Sequence, residues 1–206
     1  DTLHLNPTSQ LVANHLIQGH GSLNDIYETV DRKAAEKGWD SVDLVIIGGI
    51  SGGLIVMSHH TKSSMLTLTK PGLRNANDAT CLSVPDKFKQ IGDFHEYYSG
   101  DRTAPYLTLF IGGNHEASNH LSELYYGGWV APNIYFMGAA NIVRFGPLRI
   151  SGMSGIWKGY DYRKPHYERL PYNRDDVSSI YHIRELDVRK LLQVRTQIDI
   201  GLSHDW

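Results

Sequence analysis

Among its 206 residues the chain has a single cysteine, Cys81. No intramolecular disulfide can therefore form, which excludes a small cross-linked secreted scaffold and makes a reducing, intracellular compartment the expectation. Apolar residues nowhere gather into the roughly 18-residue run that a membrane helix needs, so no membrane association is expected. A strong charge of one sign is also missing. The 20 basic and 22 acidic residues leave a net charge of -2, which excludes a uniformly basic nucleic-acid surface while leaving room for a local basic patch. There is no internal repeat. The opening Asp1-Thr2-Leu3-His4 has neither an initiator Met nor a basic stretch followed by an apolar one, so it reads as a cut end rather than a signal peptide.

What remains is enough for one sizeable domain with a single core. Residues 1–10 read as a tail. Leu11 to Ile17 reads as a strand that delivers His20 to a Gly19-His20-Gly21 turn. From Asn24 to Lys37 the apolar residues Ile26, Tyr27, Val30 and Ala34 recur at helical spacing, and Gly38 ends the run. Val42 to Ile47 is a continuous apolar strand running into Gly48-Gly49. Strand, turn, helix and strand predict the βαβ beginning of an α/β fold. Residues 50–73 break the pattern: Gly, Ser, Thr and Lys dominate without a period, so the segment reads as an atypical insertion foreign to the fold. A helix is expected near Asp86 to Tyr98, then a strand from Pro105 to Ile111, shorter strands at Ile134 to Phe136 and Asn141 to Phe145, and another at Leu148 to Gly152. Tyr160 to Arg174 reads as a surface loop, Asp176 to Leu192 as an amphipathic helix, and Ile198 to Ser203 as a strand ending at His204-Asp205.

In α/β folds chemistry collects beyond the carboxyl ends of strands. His20, Gly48-Gly49, Asn114-His115 and His204-Asp205 all occupy such places. Taken alone, His20 reads as a turn histidine and His204 as a satisfied residue at the core edge. The run Gly112-Gly113-Asn114-His115-Glu116 differs, because its members have separate chemical tasks. An Asn carbonyl can bind a metal, the adjacent His can protonate a leaving group, and the glycines let the backbone approach closely.

Gly113-Asn114-His115-Glu116 resembles the signature of the calcineurin-like metallophosphoesterases. The longer run Leu109 to Asn119, with Tyr126-Gly127-Gly128-Trp129-Val130-Ala131-Pro132-Asn133, Ser154-Gly155-Ile156, Pro171-Tyr172-Asn173, Ile180 to Arg184 and Leu202 to Trp206, narrows the resemblance to the lariat debranching enzymes. It covers most of residues 74–206 and, more loosely, 16–49. The resemblance implies a metallophosphoesterase β-sandwich flanked by helices, incomplete at its C-terminus, with residues 1–206 as one partial domain. It further implies metal-dependent hydrolysis of the 2′–5′ phosphodiester bond at the branch point of excised introns. Divalent ions (Fe²⁺, Zn²⁺ or Mn²⁺) are the implied cofactors, with His20, Asn114 and His204 as ligands and His115 as the catalytic histidine. The implied partners are branched lariat RNA and splicing-associated proteins, and the implied compartment is the nucleus. A lariat-recognition segment would fall within residues 119–150, where Arg144 and Arg149 could meet phosphates. Trp129 and Tyr135 there could face bases or pack. Lys158, Arg163, Lys164 and His166 alternate with Tyr160 and Tyr162, joining charge to stacking surface as a branched RNA demands. A merely solvated loop would read the same way.

The chain departs from the family pattern at three points. The family's first motif carries a cysteine near the histidine, whereas Gln18-Gly19-His20-Gly21 has none. Cys81 lies elsewhere and reads as an ordinary buried thiol. The family's bridging aspartate should follow the strand at Val42 to Ile47, but Gly49 leads into Ile50, and residues 50–73 read as a translated intron or a gene-model error that displaced the motif. The chain also stops at Trp206, before the family's remaining histidine ligands, and reads as a fragment. Two other classes stay open: a non-catalytic RNA-binding relative, which would explain missing ligands, and a general phosphoesterase.

Overall fold

The computed structural model describes residues 13–18, 23–48, 53–57, 63–67, 73–86, 89 and 91–204, and of 13–18, 53–57 and 63–67 the backbone alone. Helix α1 (Leu23–Lys37) forms as its spacing predicts, burying Ile26, Tyr27, Val30 and Ala34. Its first amides are capped from a distance: Leu23 N and Asn24 N donate to the two Asp93 carboxylate oxygens at 2.8 and 2.7 Å, satisfying orphan donors and placing negative charge at the positive end of the helix. Gly38, with φ +64°, ends it.

Strands β1 (Ala13–Gln18), β2 (Leu44–Ile47), β3 (Gly53–Met57), β4 (Ser63–Thr67), β5 (Thr108–Phe110), β6 (Gly128–Ala131) and β7 (Ile134–Phe136) form one mixed sheet in the order β1-β4-β3-β2-β5-β7-β6. Its centre is parallel, β2 with β5 and β5 with β7. A smaller sheet holds β8 (Ala140–Phe145), β9 (Leu148–Met153) and β10 (Ile200–Ser203) in the order β10-β9-β8, with β9 and β10 parallel. Between the sheets, Leu44 and Ile46 of β2 and Leu109 of β5, with Ile111, meet Ile150 and Ile200 in one core. The alternate residue, Val45, points the other way, into a second core with α1 and helix α2 (Phe94–Ser99). Strand alternation thus splits one short apolar run between two cores. The fold is mixed α/β, two mixed sheets with helices.

Four expectations are corrected. Residues 50–73 contain the paired antiparallel strands β3 and β4, inserted between β1 and β2. Leu54 to Met57 is a short apolar run preceded by Gly52-Gly53, a strand signal that the Ser- and Thr-rich composition around it obscures. Of the helix expected near Asp86 to Tyr98, the described residues show the α-helix α2 and a separate 3-10 position at Asp86, with residues 91–93 between them outside any helix. Within the expected loop at Tyr160 to Arg174, residues Gly159–Tyr162 form the short helix α4, which follows helix α3 (Ser118–Glu123) and buries Asp161. The expected helix from Asp176 to Leu192 is two, α5 (Arg174–Ser179) and α6 (Glu185–Leu192). The break is tertiary: His182 forms a β-bridge with Ile156, so residues between the helices are pulled into a strand-like pairing. No helix among the described residues is long and apolar enough to cross a membrane.

Candidate active site

Three strand ends converge. Beyond β2 comes Gly48, beyond β5 come Gly112 to Glu116, and beyond β10 comes His204. The His204 ring bridges the other two: Nδ1 lies 3.2 Å from the Gly48 carbonyl and Nε2 lies 3.4 Å from Asn114 Oδ1. A carbonyl can only accept, so the contact with Gly48 requires the proton on Nδ1; the Asn114 amide oxygen also only accepts, so in that neutral tautomer Nε2 makes no hydrogen bond to it and both atoms present lone pairs to the space between them. This is how a metal-binding histidine is held, with its other nitrogen donating to a backbone carbonyl. Gly113 makes the approach possible, since a Cβ there would stand 2.6 Å from His204 Cε1. Next to this pair, burial and the His204 ring push His115 below its ordinary value, so its neutral form is favoured near neutrality.

The loop that carries these groups is held by a segment some forty residues later. Gly112 N donates to Ser154 Oγ (2.9 Å), Gly155 N donates to the Gly112 carbonyl (2.8 Å), and Ser154 Oγ donates to the Gly138 carbonyl (2.6 Å). Gly155 has φ +91°, and any Cβ there would fall on the Tyr181 carbonyl, so only glycine allows this tie.

Behind the tie lies a charged cluster that no local pattern in the sequence announces. Arg184 is fully buried and donates to the Asp161 carbonyl (2.8 Å), to Glu168 (2.7 Å) and to the Ser179 carbonyl (3.1 Å). His182 Nδ1 meets Asp161 at 2.7 Å. His166 Nε2 meets Asp187 at 3.1 Å, and Tyr125 donates to the same carboxylate. Burial opposes charge on His166, but Asp187 and Glu168 outweigh it and raise the ring to about 8. Burial likewise opposes charge on Glu168, yet its hydrogen bonds from His166 and Ser179 and the charge of Arg184 hold it at about 2.

The chain is 48% identical over 187 residues to the human lariat debranching enzyme, a match covering 91% of this chain and 31% of that relative. Over nine-tenths of its length the chain is thus similar to lariat debranching enzymes. The enzymes of that name from Schizosaccharomyces pombe and Arabidopsis thaliana are 47% and 43% identical over 192 and 189 residues, 92% and 91% of this chain and 36% and 40% of theirs. The chain therefore spans about a third of the length of the curated relatives it matches. No protein-family model matches it.

Set against the residues that the family resemblance implies, Asn114, His115 and His204 come together. His20 lies outside the described residues. The strand before it, β1, ends at Gln18 and is separated from β2 by two strands, three spacings or roughly 14 Å. Arg144 and Arg149 sit opposite each other at the turn end of the β8–β9 hairpin. Because β9 runs parallel to β10 with Met153 opposite Ser203, that pair lies roughly 13 Å along the strands from the His204 end. Lys158 and Arg163 lie at the two ends of α4, Arg163 exposed. Lys164 pairs with buried Asp161 at 2.8 Å while itself staying exposed, and His166 is drawn into the Asp187–Glu168 cluster, so it serves the interior more than an open loop. Trp129 is 62% exposed, with Tyr135 edge-on at 5.2 Å. Cys81 is only half-buried.

The donor set does not fit two metal ions. Among the described residues no group of three or more His, Cys, Asp or Glu could hold a metal. The site offers His204 and Asn114, and no bridging carboxylate follows β2, where position 50 is Ile.

Proposed function

We propose that the chain is the N-terminal part of a calcineurin-like phosphodiesterase that hydrolyses the 2′–5′ bond at the branch point of excised intron RNA in the nucleus. The observation that carries this reading is the convergence of Asn114, His115 and His204 at three strand ends, in a chain similar to lariat debranching enzymes. In the reaction, water adds to phosphorus and the 2′ oxygen leaves. His115, half-buried beside the phosphate position, hands its proton to that oxygen. Burial keeps His115 mostly neutral in the free protein, and an incoming phosphate anion would raise it toward the protonated form this task needs. The two sheets closing on a shared core are read as the sandwich of the superfamily. Metal dependence, on Fe²⁺, Zn²⁺ or Mn²⁺, belongs to the whole protein, to which this chain contributes His204 and Asn114. The exposure of Arg163 and Tyr160 supports reading them, with Lys158, as contacts to the RNA backbone and bases, and splicing-associated proteins are the expected partners.

The test is cleavage of a synthetic branched RNA with Mn²⁺ or Fe²⁺ by the full-length protein. Turnover that is lost in His115→Ala while branched-RNA binding persists supports the enzyme, and undiminished turnover in that variant overturns the role of His115. The incomplete donor set favours a second reading, a non-catalytic RNA-binding relative, for which tight branched-RNA binding without turnover in the full-length protein is the expected result.

A further inference from the structure

Beside the Gly112–Glu116 loop, with Gly113 in its wall, lies a half-open cavity of about 310 Å³ that the chemistry above does not use. Its size sits at the small end of ligand pockets. Leu121, Phe136 and Ile183 give it an apolar lining, while Tyr125 and Tyr172 supply aromatic wall. Its wall also carries polar groups: the carboxylates of Glu168 and Asp187 are engaged by Arg184 and His166, and Glu123 by Arg74. His166 stands edge-on to Tyr125 at 5.3 Å and is anchored by Asp187, and exposed Arg169 also borders the cavity. Tyr172 is held by its hydroxyl against Ser122 at 2.9 Å. Rigid aromatic wall, apolar lining and a cationic side chain suit a planar ring with apolar faces and polar edges, joined to a phosphate. Gly113 belongs both to this cavity and to the backing of His204, so a ring seated there would be attached close to a phosphate at Asn114–His115.

We propose that this cavity receives one nucleobase of the RNA, unstacked from its neighbours, from a nucleotide flanking the phosphate at His115. The inference rests on the reading of the chain as an RNA phosphodiesterase. Unstacked bases held against aromatic side chains are the common currency of sequence-tolerant RNA recognition. A base anchored here would fix the scissile phosphate without any contact to the rest of the strand.

The experiment measures binding of a short branched RNA to the chain in EDTA, so that turnover plays no part. Three branched RNAs, each abasic at one of the nucleotides flanking the branch phosphate, are compared with the intact one. One abasic position should weaken binding by roughly 5- to 150-fold, the range of a single stacked base. Ile180→Trp, which fills the cavity from its wall, and Tyr172→Leu, which removes aromatic surface without adding bulk, should weaken the intact RNA similarly. Neither should further weaken the RNA that already lacks the base. Thermal melts identify a variant that fails to fold, in which case the other decides. If the chain binds branched RNA but is indifferent to every abasic position, or both folded variants bind intact RNA normally, the cavity proposal is overturned and the phosphodiesterase reading stands. If no branched RNA binds at all, both fall together.

Discussion

Replacing Arg184 with Met keeps the length of the side chain and deletes its charge where water cannot reach. The guanidinium is fully buried and faces Glu168, whose side chain is only 5% exposed. The substitution removes three hydrogen bonds and strands a carboxylate that the native protein holds at about 2. Breaking a buried pair by removing one partner costs about 3–5 kcal/mol, most of it from the uncompensated charge left behind. For a domain of this size that corresponds to a fall in Tm of roughly 6–20 °C. Urea unfolding followed by tryptophan fluorescence reads the loss directly, provided the slope is unchanged. Adding Glu168→Gln should recover part of it, because the stranded charge is gone, and the two substitutions should be non-additive by about 0.5–3 kcal/mol. An Arg184→Met protein within about 1 kcal/mol of the parent, or strictly additive substitutions, would refute the view that this cluster is a desolvated charge network.

Three further outcomes are expected. Because Glu168 is depressed to about 2, its contribution is present above the ordinary carboxylate range and is lost as pH falls toward 2. His166, raised to about 8, contributes fully below the ordinary histidine value and loses that contribution as pH rises through 8. The urea midpoint should therefore decline on both sides of a plateau near pH 5–6, and in His166→Gln the alkaline decline should shrink. Gly113→Ala puts a methyl group into the His204 ring; the expected overpacking cost is about 1–3 kcal/mol, and the His115 resonances in an NMR titration should move because their neighbour has moved. Metal analysis of the chain loaded with Mn²⁺ should give fewer than two ions per molecule, since the described donors stop at His204 and Asn114; a stoichiometry of two would show that the donor set is larger than the geometry here allows.

The parts of the fold that were legible are those written in short-range chemistry. Helix α1 follows from its spacing and from Gly38, and the loop of the candidate site follows from an apolar strand feeding Gly112-Gly113-Asn114-His115. What escaped depends on partners far away in the chain. The break between α5 and α6 comes from the pairing of His182 with Ile156, which no local propensity encodes. His166 and Lys164 stand in a stretch rich in Lys, Arg and Tyr, the composition of a solvated basic loop, and only the fold reveals that Asp187 and Asp161 claim them. Arg184 reads as a surface arginine in the sequence, and its burial is legible only once Asp161, Glu168 and Ser179 surround it. Ser154 was visible as part of a family-like run, but its task of holding Gly112 was not.

That task has a consequence for how the site is assembled. The amide of Gly112 is protected by a hydroxyl at the end of β9, in the smaller sheet, and its carbonyl by the next residue along, Gly155. Neither partner is in reach unless the two sheets are docked, so the shape of the loop bearing His115 depends on that docking. The exchange rate of the Gly112 amide should then report the opening of the sheets rather than local fraying. A state with both sheets formed but undocked would hold every residue of the site and have no site.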